Sequence, residues 1–178
     1  GCILEALRIN HRPTAPSLLE ELMTKKAAAY LTSIKDHLVI FPGVREFIEA
    51  AAAAYPIAIA SGALRPEIEL VLEQIGIRKA FGHITSAEDV TCGKPNPEPF
   101  LQALAGLNRH QSTAAISPDS CLVIEDSLPG IRAAKAAGMK VLAVANTHTI
   151  QDLHEADAIS ASLSETRLND MRARLWPT

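Results

Sequence analysis

Residues 42–178 are expected to form an α/β core, a parallel sheet with helices on both faces, and residues 1–41 a small helical layer. Three observations carry this expectation. Runs at 57–60, 121–124 and 140–145 are short and almost wholly apolar, as in strands buried on both faces. The stretches between them place apolar residues three and four apart, the spacing of one helix face. Strands alternating with helices in this way build parallel sheets.

Along the chain, Leu19, Met23, Ala27, Tyr30 and Ile34 recur at helical spacing, and no strand pattern precedes residue 41. Pro13 and Pro16, with Thr14 and Ser17, mark a break and a helix start. The texture changes after Phe41-Pro42-Gly43. Val44, Phe47, Ile48 and Ala51 make a helix stripe, and the strand at 57–60 stops at Ser61-Gly62. A second helix carries Leu64, Ile68, Val71, Leu72 and Ile75 on one face. Gly76 ends it as a C-terminal glycine. Residues 83–86 read as a weak strand. Pro97 and Pro99 suit the first turn of the next helix, where a missing N–H does no harm. The strand at 121–124 leads through Glu125-Asp126-Ser127 into an alanine-rich helix ending at Gly138. A strand at 140–144 and a short one at 158–159 complete the core. The strands at 57–60, 83–86, 121–124 and 140–144 are expected to lie parallel in one sheet, joined by right-handed crossovers.

The composition excludes several functional classes. Hydrophobic residues make up 48% of 178, enough for a buried core, and aromatics only 4%, so small and aliphatic side chains must fill it. The formal charge of −3 gives no reason to expect nucleic acid or a membrane surface as a partner. Any anionic substrate must be held by local groups. Cys2, Cys92 and Cys121 are odd in number and have no paired spacing, which argues against a disulfide framework and a zinc site. Reduced thiols in a cytoplasmic protein are the expectation. No stretch is long and apolar enough to span a bilayer, and no leader pattern is present. The sequence begins Gly1-Cys2-Ile3 without a methionine, as expected of a processed or clipped chain, or of one taken from partway along a longer protein.

Ligands of open parallel sheets sit beyond the carboxyl ends of the strands, so the residues following each strand matter most. Ser61-Gly62 offers a hydroxyl, a backbone open to close approach, and the amides of the following helix, a combination suited to a small anion; the alternative is a serine cap and a turn glycine. Gly93-Lys94-Pro95-Asn96-Pro97 holds an ammonium on a proline-stiffened loop, a point charge for phosphate, unless Lys94 is simply solvated. Glu125 and Asp126, adjacent acids at a strand end, suit Mg²⁺, a hard cation that keeps water and substrate phosphate in its shell. The alternative for Asp126 or Ser127 is a helix cap. His11, His37, His83, His110, His148 and His154 show no metal-ligand spacing and read as surface or loop residues.

Together these three sites resemble the haloacid dehalogenase-like hydrolase superfamily, in particular its beta-phosphoglucomutase and phosphoglycolate phosphatase-like branch. The resemblance runs from about residue 41 to 163 and implies a Rossmann-like core. It implies that Ser61 and Lys94 both bind phosphate and assist catalysis, Ser61 holding the transferring phosphoryl group with Gly62, and that Glu125 and Asp126 hold Mg²⁺. Residues 1–41 resemble the later part of the family's α-helical cap. The implied activity is Mg²⁺-dependent hydrolysis of a phosphate monoester of a small metabolite through an aspartyl-phosphate. A sugar-phosphate mutase is the nearest alternative within the superfamily. A dehalogenase is disfavoured by the acidic pair.

One motif is missing. The family's nucleophile and its general acid and base lie in an Asp-x-Asp at the end of the first strand, and this sequence contains no Asp-x-Asp. No nucleophile is therefore assigned, and a truncated, non-catalytic protein is the alternative from another class. In the family that strand is central, beside those at 57–60 and 121–124, so a gap is expected in the middle of the sheet. Each buried backbone group left unpaired there costs about 1–3 kcal/mol, against a net domain stability of about 5–15 kcal/mol. The gap is expected to be filled by an N-terminal segment outside this sequence, by a strand from a second copy, or by direct pairing of the two flanking strands.

Overall fold

The computed structural model describes residues 37–109 and 114–177, with 9–10, 14–18, 21–22 and 25 before them. The chain divides into two compact units, Gly1–Val39 and Ile40–Thr178. In the first, residues 16–18, 21–22 and 25 are helical. Lys25 and Glu21, one helical turn apart, form an ion pair of 2.6 Å. The stripe expected from Leu19 to Ile34 lies outside the described residues.

The second unit opens with α1, Val44–Ala54, which buries Phe47 and Ala51. Gly43 precedes it at φ 79°, and a Cβ there would overlap the backbone of Ser164. Glycine is therefore required on two counts, conformation and space. β1 (Ile57–Ala60) pairs parallel with β2 (Phe81–Thr85), Ala60 opposite Thr85. The crossover between them is α2, Arg65–Gln74, which buries Ile68 and Leu72. Gly76 follows at φ 72°, the C-terminal glycine the sequence predicts. α3, Glu98–Asn108, carries Pro99 in its first turn and packs against β1 and β2.

β3 (Leu122–Glu125), β4 (Lys140–Val144) and β5 (Ala158–Ser160) form a second parallel sheet in that order. α4, Leu128–Ala136, crosses from β3 to β4. Alternate residues of β4 serve two faces. Val141 and Ala143 join Ile131 and Ala134 of α4 and Phe100 and Leu104 of α3 in one cluster. Leu142 and Ala158 pack instead with Leu175 of α5, Leu168–Leu175. Helices thus cover both faces, as the near-continuous apolar strands require. Ala133 and Ala134 are fully buried, and their small side chains let α4 lie close to the sheet. Burying side chains such as Ile131, Leu142 and Leu153 completely contributes roughly 1.5–3 kcal/mol each. No helix among the described residues is long and apolar enough to cross a membrane.

The structure corrects several expectations. The strands do not form one sheet but two, β1-β2 and β3-β4-β5. Nor do β1 and β3 pair directly. Their facing edges have no described strand as partner, and the two sheets are joined through a shared apolar cluster in which Ala60, Phe100 and Val123 meet. The weak strand falls at Phe81–Thr85 rather than 83–86, because Ser86 leaves the ladder to cap a turn, with Asp89 accepting from its amide at 2.7 Å. β3 runs one residue further than expected, which places Glu125 inside the strand rather than after it. α5 was not anticipated; its polar, arginine-rich sequence shows little apolar periodicity.

Candidate active site

The segment Glu125-Asp126-Ser127 turns from β3 into α4, and its side chains are held by their own loop. One oxygen of the Glu125 carboxylate, Oε2, accepts from the amides of Asp126 and Ser127, both at 3.0 Å, and from the Ser127 hydroxyl at 2.9 Å. Ser127 Oγ in turn accepts from Gly130 N at 3.2 Å and so caps α4. The carboxyl folds so tightly over the helix start that a Cβ at residue 130 would overlap it. Gly130 is the residue that makes room.

The other Glu125 oxygen, Oε1, accepts from the Lys94 ammonium. Lys94 is delivered by a loop with its own scaffold. Glu98, in the first turn of α3, accepts from the amides of Thr91 and Cys92 at 2.8 and 2.9 Å. Asn96 Oδ1 accepts from Glu98 N at 2.9 Å. The Lys94 ammonium also lies 4.7 Å from the centre of the Phe100 ring, a cation–π contact that strengthens where water is partly excluded. Burial opposes ionisation of Glu125. The Lys94 charge and the Lys94 and Ser127 hydrogen bonds outweigh it and hold the carboxyl below its ordinary value. Glu98 is likewise lowered, chiefly by the Thr91 and Cys92 amides.

Lys94, Glu125 and Asp126 are thus brought together at the carboxyl end of β3. Ser61 stands at the carboxyl end of β1, in the other sheet. Its amide donates to Thr85 O at 2.9 Å, and its hydroxyl accepts from Ala63 N at 3.1 Å, the local turn bond weighed as the alternative from sequence. No hydrogen bond joins it to Lys94 or Glu125 among the described residues. Gly62 is exposed, with open space where a Cβ would project, so a ligand can approach its backbone.

Asp126 is half-buried, and its carboxylate is fixed from a direction the sequence reading missed. Thr147 Oγ1 lies 3.0 Å from Asp126 Oδ2 and 2.9 Å from Asp126 O. His148 Nδ1 lies 3.0 Å from the same carbonyl. Both residues follow β4, so the rule that drew attention to Ser61 and Asp126 would have found them. Phe100 gave no such signal, since an apolar residue on a helix face reads as core. Among the described residues no group of three or more His, Cys, Asp or Glu is placed to hold a metal ion. The donor set is two carboxylates. One is committed to Lys94 and its own loop, whereas the other is hydrogen-bonded through Oδ2 by Thr147. This fits Mg²⁺, which binds through one or two carboxylates and fills its shell with water and phosphate.

A sequence model described as haloacid dehalogenase-like hydrolase matches residues 4–138. The chain belongs to this hydrolase family. It is 36% identical over 136 residues to a bifunctional riboflavin kinase/FMN phosphatase of Arabidopsis thaliana, covering 75% of this chain and 34% of that protein. It is 36% identical over 117 residues to the chloroplastic 5-amino-6-(5-phospho-D-ribitylamino)uracil phosphatase of the same plant, covering 66% and 30%. The chain therefore spans about a third of the length of these relatives. Among solved structures, beta-phosphoglucomutase from Clostridium difficile superposes with a TM-score of 0.82 at 24% identity, covering 95% of this chain and 73% of that one. At that identity the likeness concerns the fold. The haloacid dehalogenase-like core, with parallel strands and helices on both faces, is the architecture described above.

Proposed function

We propose that this chain supplies the phosphate-positioning and cation-holding part of a Mg²⁺-dependent phosphatase-type site acting on a small phosphate monoester. The observation that carries the reading is the Lys94–Glu125 ion pair beside Asp126, formed from residues 31 apart in sequence at a strand's carboxyl end. In this reading Lys94 is a fixed positive charge for the phosphate oxygens. Ser61 and the Gly62 backbone bind the phosphoryl group from the β1 side. Asp126, with Glu125 beside it, would hold Mg²⁺, which when bound supplies further charge neutralisation. Positioning and charge neutralisation of this kind do not replace a nucleophile. We assign that role to an aspartate on a strand outside this sequence, seated between the open edges of β1 and β3. Residues 1–41 are read as part of an α-helical cap, and a cytoplasmic setting is read from the odd number and unpaired spacing of Cys2, Cys92 and Cys121 in the sequence. The two phosphatases named above, whose names specify small phosphorylated compounds, support the substrate class.

The test is phosphate release from a panel of small phosphate monoesters by the full-length gene product, with Mg²⁺ and with a chelator, beside residues 1–178 alone. Release by the full-length protein, abolished by chelation and by Lys94→Ala, is the expected result. Release by residues 1–178 alone would overturn the assignment of the nucleophile. The absence of any Asp-x-Asp favours a second reading, a phosphate-binding protein without catalysis, which predicts ligand binding but no release from either protein.

A further inference from the structure

The turn after β4 is built around Asp126. Thr147 Oγ1 lies 3.0 Å from Asp126 Oδ2 and 2.9 Å from Asp126 O, and His148 Nδ1 lies 3.0 Å from that same carbonyl and 3.0 Å from Thr147 Oγ1. The carbonyl and the carboxylate are acceptors only, and a threonine hydroxyl has a single proton to give. The set is satisfied when His148 donates from Nδ1 to the carbonyl and Thr147 gives its proton to Oδ2. One residue then holds the Asp126 backbone and the other its carboxylate, while Oδ1 receives no hydrogen bond from the described residues. An aspartate's terminal torsion is otherwise a broad, two-fold rotor, so a single bond to one oxygen decides which oxygen is left for another ligand.

We propose that Thr147 is a positioning residue for the cation site, fixing the Asp126 carboxylate through Oδ2 so that Oδ1 is presented to a divalent ion. The proposal rests on the reading of Asp126 as a Mg²⁺ ligand. It differs from a structural role in a measurable way. Thr147, His148 and the bonds they make are exposed. In water such bonds add little to stability, because the solvent replaces them. The orientation of a metal ligand is another matter: removing its hydrogen-bonding partner typically weakens metal affinity 10- to 100-fold. Thr147→Val keeps the shape and removes the hydroxyl, whereas Thr147→Ser keeps the hydroxyl.

The experiment titrates Mn²⁺, as the probe for Mg²⁺, into the full-length protein and follows the free-ion signal by electron paramagnetic resonance. Melting curves are recorded on the same samples. Thr147→Val should bind Mn²⁺ about 10-fold more weakly or worse with its melting temperature nearly unchanged, and Thr147→Ser should bind close to wild type. Wild-type affinity in Thr147→Val, when Asp126→Asn has lost binding, would overturn the role of Thr147 and leave the metal reading standing. Equal weakening in Thr147→Val and Thr147→Ser would also overturn it, since the hydroxyl would not be what matters. Asp126→Asn binding like wild type, or no binding by the wild type, would instead remove the metal reading and the inference with it.

Discussion

Glu125 is the most constrained residue of the site: both its oxygens are occupied and a glycine is needed beneath it. Two predictions follow from that crowding. Gly130→Ala places a methyl group against the carboxyl. The expected cost is about 1–3 kcal/mol from overpacking, offset by up to about 1 kcal/mol of helix propensity, and urea denaturation measures it. A variant as stable as wild type would mean that the Glu125 carboxyl swings aside freely. The second concerns acid. Because the folded protein depresses the Glu125 pKa, the ionised carboxylate adds stability above the unfolded value, about 4.3. That contribution is lost as pH falls through the lower folded value. Melting temperatures taken downward from about pH 5 should therefore fall more steeply for wild type than for Glu125→Gln; parallel curves would deny the carboxylate this role. Glu125 and Asp126 draw attention in the sequence because acids at the end of an apolar strand are costly without a partner, and Lys94 because prolines stiffen the loop that carries it. That Glu125 would give its second oxygen to its own loop was not legible there, since side-chain direction over a helix start depends on tertiary packing.

The elements show the same division. Strands at 57–60 and 140–144 were placed correctly because their apolar runs are bounded by glycine, proline or charge. β2 starts two residues and ends one residue before the expected strand because its sequence, Phe81-Gly82-His83-Ile84-Thr85, alternates poorly, and its register is set by β1 rather than by its own pattern. α4 is the element on which the site most depends, and its start rests on Ser127, which caps Gly130 N while also donating to Glu125. Ser127→Ala is expected to lose about 0.5–2 kcal/mol, read as a lower midpoint in chemical denaturation. An unchanged midpoint would show that the cap is replaced by water. α5 escaped the sequence reading because just one of its residues, Leu175, is buried, so its helical form is decided by docking onto Leu142 and Ala158 and not by a stripe.

At the scale of the whole molecule, two parallel sheets share a core without sharing a backbone ladder. Among the described residues, β1 and β3 each have one strand neighbour, and Ile124 of β3 is exposed although it lies in an apolar strand. Open edges of this kind invite pairing with another chain. Residues 1–178 expressed alone are therefore expected to associate in a concentration-dependent way, seen by sedimentation velocity. A monomer at all concentrations with a cooperative melt would mean that the shared core suffices. The Lys94–Glu125 contact acquires a second meaning here. Lys94 sits on the connection from β2 to α3, whereas Glu125 ends β3, so this ion pair fastens one half of the core to the other across the seam. An anion that draws Lys94 off, or a cation that draws Glu125 off, undoes the clasp. On the proposed reading, filling the site would give up this tie and leave the shared apolar cluster to hold the halves together.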